Sequence, residues 1–299
     1  MKVRRRLPQL IHISILLYHI DTFVVMFPDQ HSCLPFSLRV CLGHSNCLKC
    51  DSDTDMISIQ NVNAEHSIPK SFAFDAVYDT DVHQSTVYDE VAFPLVESML
   101  EGYNCTIFAY GQTGCGKTHT MMGVPTDLEL RGIIPSCFAH IFGALDEGRQ
   151  SDNETKYLVR CSYLEIYNED VFDLLAEHKK NVPPTKLDVK EDVNKGVFVK
   201  DLKWLNMTSI PEMERAMNYG MSNRKTAATK MNSESSRSHS IFTIYIETAT
   251  KKDGNQLIKA GKLNLVDLAV SPHFHHHPFD RRRTAIVNMK MFVSCCAGV

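Results

Sequence analysis

The chain carries almost no net charge: 32 Lys and Arg stand against 35 Asp and Glu, a formal −3 over 299 residues. It therefore lacks the global basic footprint that holds nucleic acid or an anionic membrane, and attraction to an acidic partner must come from a local patch. Long apolar runs are missing too. The best, 10–18, follows Lys2, Arg4, Arg5 and Arg6 like the opening of a signal peptide. It is broken by His12, His19 and Asp21, and no small-residue cleavage site follows, so it makes a poor membrane span. Ten cysteines are present, but Cys47-x-x-Cys50, with Cys41 and His44 nearby, has no second pair at ligand spacing, which argues against structural zinc. His275, His276 and His277 sit in a stretch without hydrophobic period and have no scaffold for an evolved metal site.

What remains is ordinary globular composition, 43% apolar and 22% charged, in a length that suits one large α/β domain or two small ones. The strand-like run Thr106-Ile107-Phe108-Ala109-Tyr110 leads straight into Gly111-Gln112-Thr113-Gly114-Cys115-Gly116-Lys117-Thr118, which fits the phosphate-binding pattern Gly-x-x-x-x-Gly-Lys-[Ser/Thr]. Glycines there let the backbone of Gln112, Thr113, Gly114 and Cys115 wrap closely enough for N–H groups to face phosphate oxygens. Lys117 would reach the β- and γ-phosphates, and Thr118 would place its hydroxyl on Mg²⁺. A site for a nucleoside triphosphate implies a reducing compartment, so the cysteines are read as free thiols.

Periodicity predicts short strands over 56–60 and 71–74, then a helix marked by Val87, Val91, Leu95 and Met99, kinked or started late by Pro94. A buried strand is expected at 106–110, a helix at 117–122, an amphipathic helix through 136–145 and a strand at 157–166. Asn168 is expected to cap a short helix containing Val171, Leu174 and Leu175. The turn-rich stretch 179–200 reads as loop and hairpin. Met213, Ala216, Met217 and Met221 mark a packed helical face. Phe242, Ile244 and Ile246 alternate along a strand before the turn Asp253-Gly254-Asn255, and 263–269 reads as a central strand. Strands alternating with helices predict one three-layer α/β domain.

Two further strings stand in order after the phosphate loop: Asn232-Ser233-Glu234-Ser235-Ser236-Arg237-Ser238-His239 and Leu263-Asn264-Leu265-Val266-Asp267-Leu268-Ala269. With Ala109-Tyr110-Gly111-Gln112-Thr113 they resemble the kinesin motor domain. The phrases Ser162-Tyr163-Leu164-Glu165-Ile166-Tyr167-Asn168-Glu169 and 260–269 are most similar to its kinesin-II, intraflagellar-transport branch. The resemblance covers 71–269 and implies a P-loop fold, a central mostly β-sheet flanked by helices, that binds ATP and Mg²⁺ and hydrolyses ATP to move along microtubules. It also implies the site roles. Ser236 would complete the Mg²⁺ shell, Ser235 and Asn232 would hold the γ-phosphate and attacking water, Asp267 would hold Mg²⁺ through water, and His119 would pack on adenine. Lys190, Lys195 and Lys200 fall where kinesins place a basic microtubule-contacting hairpin, although Asp188, Glu191 and Asp192 offset their charge. Cytoplasmic, cytoskeletal placement follows, with the cilium suggested by the branch.

Departures from the pattern frame a second reading. The family has Gly-Ser-Glu after Asp-Leu-Ala; this chain has Val270-Ser271-Pro272. Valine resists the backbone conformation glycine supplies at the γ-phosphate, and proline cannot pair with Arg237 to close the site. The expected organisation is a leader of separate origin over 1–55, disordered or misassigned, a partial motor domain over 56–269 with its first and last strands, neck and coiled coil absent, and a separate tail over 270–299. Such a product would at most bind nucleotide or tubulin without motility. A GTPase or small-molecule kinase is disfavoured, since no Asn/Thr-Lys-x-Asp guanine signature occurs and the Ser-Ser-Arg-Ser-His string argues otherwise.

Overall fold

A computed structural model describes residues 13–18, 22–26, 48–59, 68–79, 82–111, 116–125, 127–151, 155–177, 184–192, 196–231, 238–252 and 255–269. In chain order, strands β1 (Ile13–Tyr18) and β2 (Thr22–Met26) come first. They are followed by β3 (Leu48–Asp51), β4 (Met56–Ile59), β5 (Lys70–Ala73) and β6 (Ala76–Tyr78). Helices α1 (Gln84–Val87) and α2 (Phe93–Leu100) flank a π-helical turn, Tyr88–Ala92, and lead to β7 (Asn104–Gly111). Then come α3 (Lys117–Met122), α4 (Ile133–Ser151), β8 (Lys156–Tyr167), β9 (Asp170–Asp173), β10 (Lys186–Leu187) and the hairpin β11 (Val189–Asp192) with β12 (Gly196–Val199). The described chain closes with β13 (Leu205–Met207), α5 (Ile210–Met231), β14 (Ser238–Lys252) and β15 (Asn255–Asp267).

The main sheet runs β10-β9-β8-β14-β15-β7-β1-β2-β6, with β13 also on β8. It is mixed: β15 lies parallel to β7 but antiparallel to β14, and β14 is antiparallel to β8. The strands expected at 56–60, 71–74, 106–110, 157–166 and 263–269 are all present, and α3 spans the 117–122 expected for it. Two strands of the sheet, and β3 of a small separate one, come from the first 55 residues, where the sequence predicts a leader. The side of β7 away from β15 carries backbone donors and acceptors that need partners, and β1 supplies them, pairing antiparallel from Ile13↔Gly111 to Tyr18↔Thr106.

The π turn has an identifiable cause. Pro94 has no N–H, so the carbonyl four residues earlier loses its helical partner and the ladder relaxes just ahead of the proline. Val87, Val91, Leu95 and Met99 nevertheless stay on one buried face. They join Phe138, Ile141 and Leu145 of α4 and Met213, Ala216 and Met217 of α5 in one core against the inward residues of β7, β8, β14 and β15. Phe108, Leu164, Val171, Ile241 and Val266 form a smaller cluster on the opposite face, covered in part by Leu187, Val199 and Leu202.

One expectation is corrected. Asn168 does not cap a helix: Asn168 and Glu169 adopt φ of 50° and 67° in a two-residue turn, and the chain returns as β9 from the pair Tyr167↔Asp170. Asparagine suits both a cap and a left-handed turn, and the right-handed twist of a hairpin selects the latter. Leu174 and Leu175 are buried as expected, but in the bend after β9.

Helix α5 sits unusually close to β8. A Cβ at Gly220 would lie 2.2 Å from Cδ1 of Tyr163, whose ring is buried and packs edge-on against Phe242 at 5.2 Å. Both rings are buried, so relief of the clash requires neighbouring groups to shift. Gly220→Ala should therefore cost about 1–3 kcal/mol of stability, read as a lowered urea midpoint at unchanged slope. An unchanged midpoint would show that α5 can slide without loss.

Candidate functional site

The inward face of the sheet changes character at one end. Along β8 it runs Val159, Cys161, Tyr163 and then Glu165. Along β14, read backwards, it runs Ile246, Ile244, Phe242 and then Ser240 and Ser238, and along β15 Leu263, Leu265 and then Asp267. Register brings the three changes into one row, Glu165↔Ser240↔Asp267. All three side chains, and Ser238, are buried.

Two elements close over that row. Strands β7 and β15 are parallel neighbours, so both deliver their carboxyl ends to the same edge, where α/β sheets bind ligands. β7 ends at Gly111, and the chain is described again from Gly116, whose φ of 96° is open to glycine and strained for other residues. α3 then begins, placing Lys117 buried in its first turn and bringing the Thr118 hydroxyl to Asp267. Oγ1 of Thr118 donates to Oδ2 of Asp267 at 2.9 Å.

From the other side, α5 inserts Arg224. Its side chain is 11% exposed and its Nη1 donates to Oδ2 of Asp267 (3.2 Å) and Oγ of Ser240 (2.9 Å). Nη2 donates to the Ser238 carbonyl at 2.8 Å, Nε donates to the Ser238 hydroxyl at 3.3 Å, and Nε also lies 3.6 Å from Oε1 of Glu165. One guanidinium thus satisfies two buried carboxylates and two serines, the planar fork doing what an ammonium could not. Next to it, the backbone N–H of Ala269 donates to Nδ1 of His239 at 2.9 Å. Burial, and then the nearby Arg224 cation, push the His239 pKa down.

A parallel strand pair delivering a phosphate loop and a strand-end aspartate to one edge, joined through a threonine, is a P-loop nucleotide site. The kinesin motor domain family model matches residues 41–288. The chain belongs to the kinesin motor domain family. It is 45% identical over 242 residues to the kinesin-like protein KIF3C of Pongo abelii and equally so to that of Mus musculus, a stretch that is 80% of this chain. The same stretch is 30% and 29% of those relatives, so the chain spans under a third of their length. A fast kinesin, solved for its ATPase mechanism and interactions with microtubules, superposes with TM-score 0.71 at 36% identity over 89% of this chain and 70% of that one. The fold is thus the kinesin P-loop fold, a central mixed sheet flanked by helices.

Of the residues read as functional, Gly111, Gly116, Lys117, Thr118 and Asp267 converge on this edge of the kinesin fold. His119 lies on α3, with its backbone carbonyl accepting from Nε2 of Gln84 at 3.1 Å. Gln112, Thr113, Gly114 and Cys115, the string Asn232, Ser235, Ser236 and Arg237, and Val270, Ser271 and Pro272 lie outside the described residues. So does Lys195. Lys190 is exposed on β11, as expected of the hairpin, with its Nζ 3.7 Å from Asp188, and Lys200 is 3.9 Å from Asp201.

The donor set suits magnesium. A threonine hydroxyl and an aspartate carboxylate 2.9 Å apart are hard oxygen ligands of the kind Mg²⁺ takes alongside water and phosphate. Among the described residues no group of three or more His, Cys, Asp and Glu could hold a different ion, and no helix is long and apolar enough to cross a membrane. Cys50, Cys105, Cys137 and Cys161 are free, in line with the sequence reading. Burial pushes the Cys137 and Cys161 thiols up to about 12, and burial followed by Asp79 pushes Cys50 up to about 11, so these stay protonated.

Proposed function

We propose that the chain is the ATP-binding motor portion of a kinesin, taking ATP with Mg²⁺ and coupling its hydrolysis to movement on microtubules. The observation that carries this is the Thr118–Asp267 contact at the shared carboxyl edge of β7 and β15, beside Lys117. Lys117 would face the β- and γ-phosphates across the backbone of Gln112, Thr113, Gly114 and Cys115. Thr118 and Ser236 would ligate Mg²⁺, Asp267 would hold one of its waters, and the bound ion neutralises charge on the phosphate oxygens. Asn232 and Ser235 would orient the attacking water, and His119 would stack on adenine.

Microtubule contact is assigned to the hairpin through Lys190 and Lys195, and cytoskeletal placement follows from the family. Ciliary placement rests on the branch resemblance. The domain proper is proposed to run over 56–269, with 1–55 and 270–299 of separate origin. A specific observation supports a second reading, a nucleotide- or tubulin-binding product without motility: Val270-Ser271-Pro272 stands where the family has Gly-Ser-Glu. One experiment divides the two. Purified chain is assayed for phosphate release from Mg·ATP with and without polymerised tubulin. Stimulation by microtubules is the expected result for a motor. Nucleotide binding with no stimulated turnover would establish the second reading, and no binding at all would end both.

A further inference from the structure

The β14–β15 ladder ends at Ser240↔Asp267, yet the backbone just beyond it is not loose. The Leu268 N–H donates to the carbonyl of Ala109 on β7 at 3.2 Å, and the Ala269 N–H donates to Nδ1 of His239 at 2.9 Å. The segment that follows the Mg²⁺ carboxylate is therefore pinned on both sides, to the strand that enters the phosphate loop and to the strand that leaves the Ser-Ser-Arg-Ser-His string. On the second side the pin is a side chain. Where the ladder stops, an imidazole replaces a backbone carbonyl as acceptor.

We propose that His239 is a positioning residue that ties the segment after Asp267 to β14, so that displacement of either strand is transmitted to the other. This rests on the nucleotide-site reading above. Its geometry fixes the tautomer: an acceptor of a backbone N–H must carry its lone pair on Nδ1, which places the ring proton on Nε2. The half-buried position beside Arg224 favours the same uncharged form. His239 touches the backbone two residues past Asp267. It acts on the γ-phosphate side of the site through that backbone and is not itself a catalytic group.

Asparagine separates this from a merely structural role. Its Oδ1 stands the same number of bonds from the backbone as Nδ1 and can accept the same N–H, whereas alanine cannot. Hydrogen exchange of the Ala269 amide is followed in the nucleotide-free protein, His239→Ala and His239→Asn. The expected result is protection in the parent, at least tenfold faster exchange in His239→Ala with the amides of 263–266 unchanged, and restored protection in His239→Asn. An unprotected Ala269 amide in the parent overturns the proposal, as does unchanged exchange in His239→Ala. A rise spread evenly along β15 that asparagine does not reverse overturns it too, since that is general loosening. In parallel, His239→Ala should weaken ATP binding about fivefold while leaving ADP binding unchanged, and equal losses for both would contradict the proposed position of the segment. If no nucleotide binds to the parent, the functional reading fails while the exchange result still decides the role of His239.

Discussion

Arg224→Met should lower stability by about 3–5 kcal/mol, enough to bring a domain of ordinary stability close to unfolding. Methionine matches the aliphatic length but leaves Glu165 and Asp267, with side chains 8% and 9% exposed, buried at the same end of the sheet without their shared cation. It also strips the donors from both Ser238 oxygens and from Ser240. The loss is dominated by stranded charge rather than by contact area, and this can be tested directly. Adding Glu165→Gln to Arg224→Met should recover a substantial part of the deficit, giving a coupling energy of at least about 1 kcal/mol in a double-mutant cycle by urea denaturation. Strict additivity of the two changes would show that the arginine acts by filling space.

Lys117→Ala should reduce ATP affinity by about 100-fold or more while leaving the fold intact. Charge-assisted hydrogen bonds are worth about 1.5–3 kcal/mol each, and an ammonium shared between two phosphates loses about that sum when it is removed. Titration calorimetry with Mg·ATP reads the change, and circular dichroism checks the fold. Unaltered affinity would remove the phosphate loop from consideration as the working site.

The phosphate loop was legible because its signal is local. The glycines, Lys117 and Thr118 are contiguous, and the apolar strand before them sets the context, so the 117–122 helix was readable to the residue. Asp267 was legible for a related reason, as a carboxylate ending a strand with almost no polar interruption. Arg224 was missed although a signal exists. Met213, Met217, Gly220 and Arg224 follow one helical stripe, and an arginine where the stripe calls for an apolar residue marks a buried charge that needs partners. Glu165 breaks the inward alternation of β8 in the same way. Those partners could not have been named from one strand at a time, because Glu165, Ser240 and Asp267 meet only through register. Asn168 was misread because cap and turn draw on the same residue, and only pairing with β8 distinguishes them. The strands β1 and β2 escaped notice because their placement depends on pairing with the side of β7 away from β15, a property of the assembled sheet.

The two residues that share one oxygen of Asp267 lie far from it in sequence: Thr118 is 149 residues away and Arg224 is 43 away. During synthesis the phosphate loop emerges first and the arginine long afterwards, and the aspartate that joins them comes later still. Until then the ribosome-bound chain holds a P-loop without its counter-ligand and a helix with an uncompensated buried-type arginine. Contacts of such long separation form late and slowly. The Thr118–Asp267–Arg224 cluster therefore closes only after the chain has been made through β15, and until then α3 and α5 must be held by their other contacts.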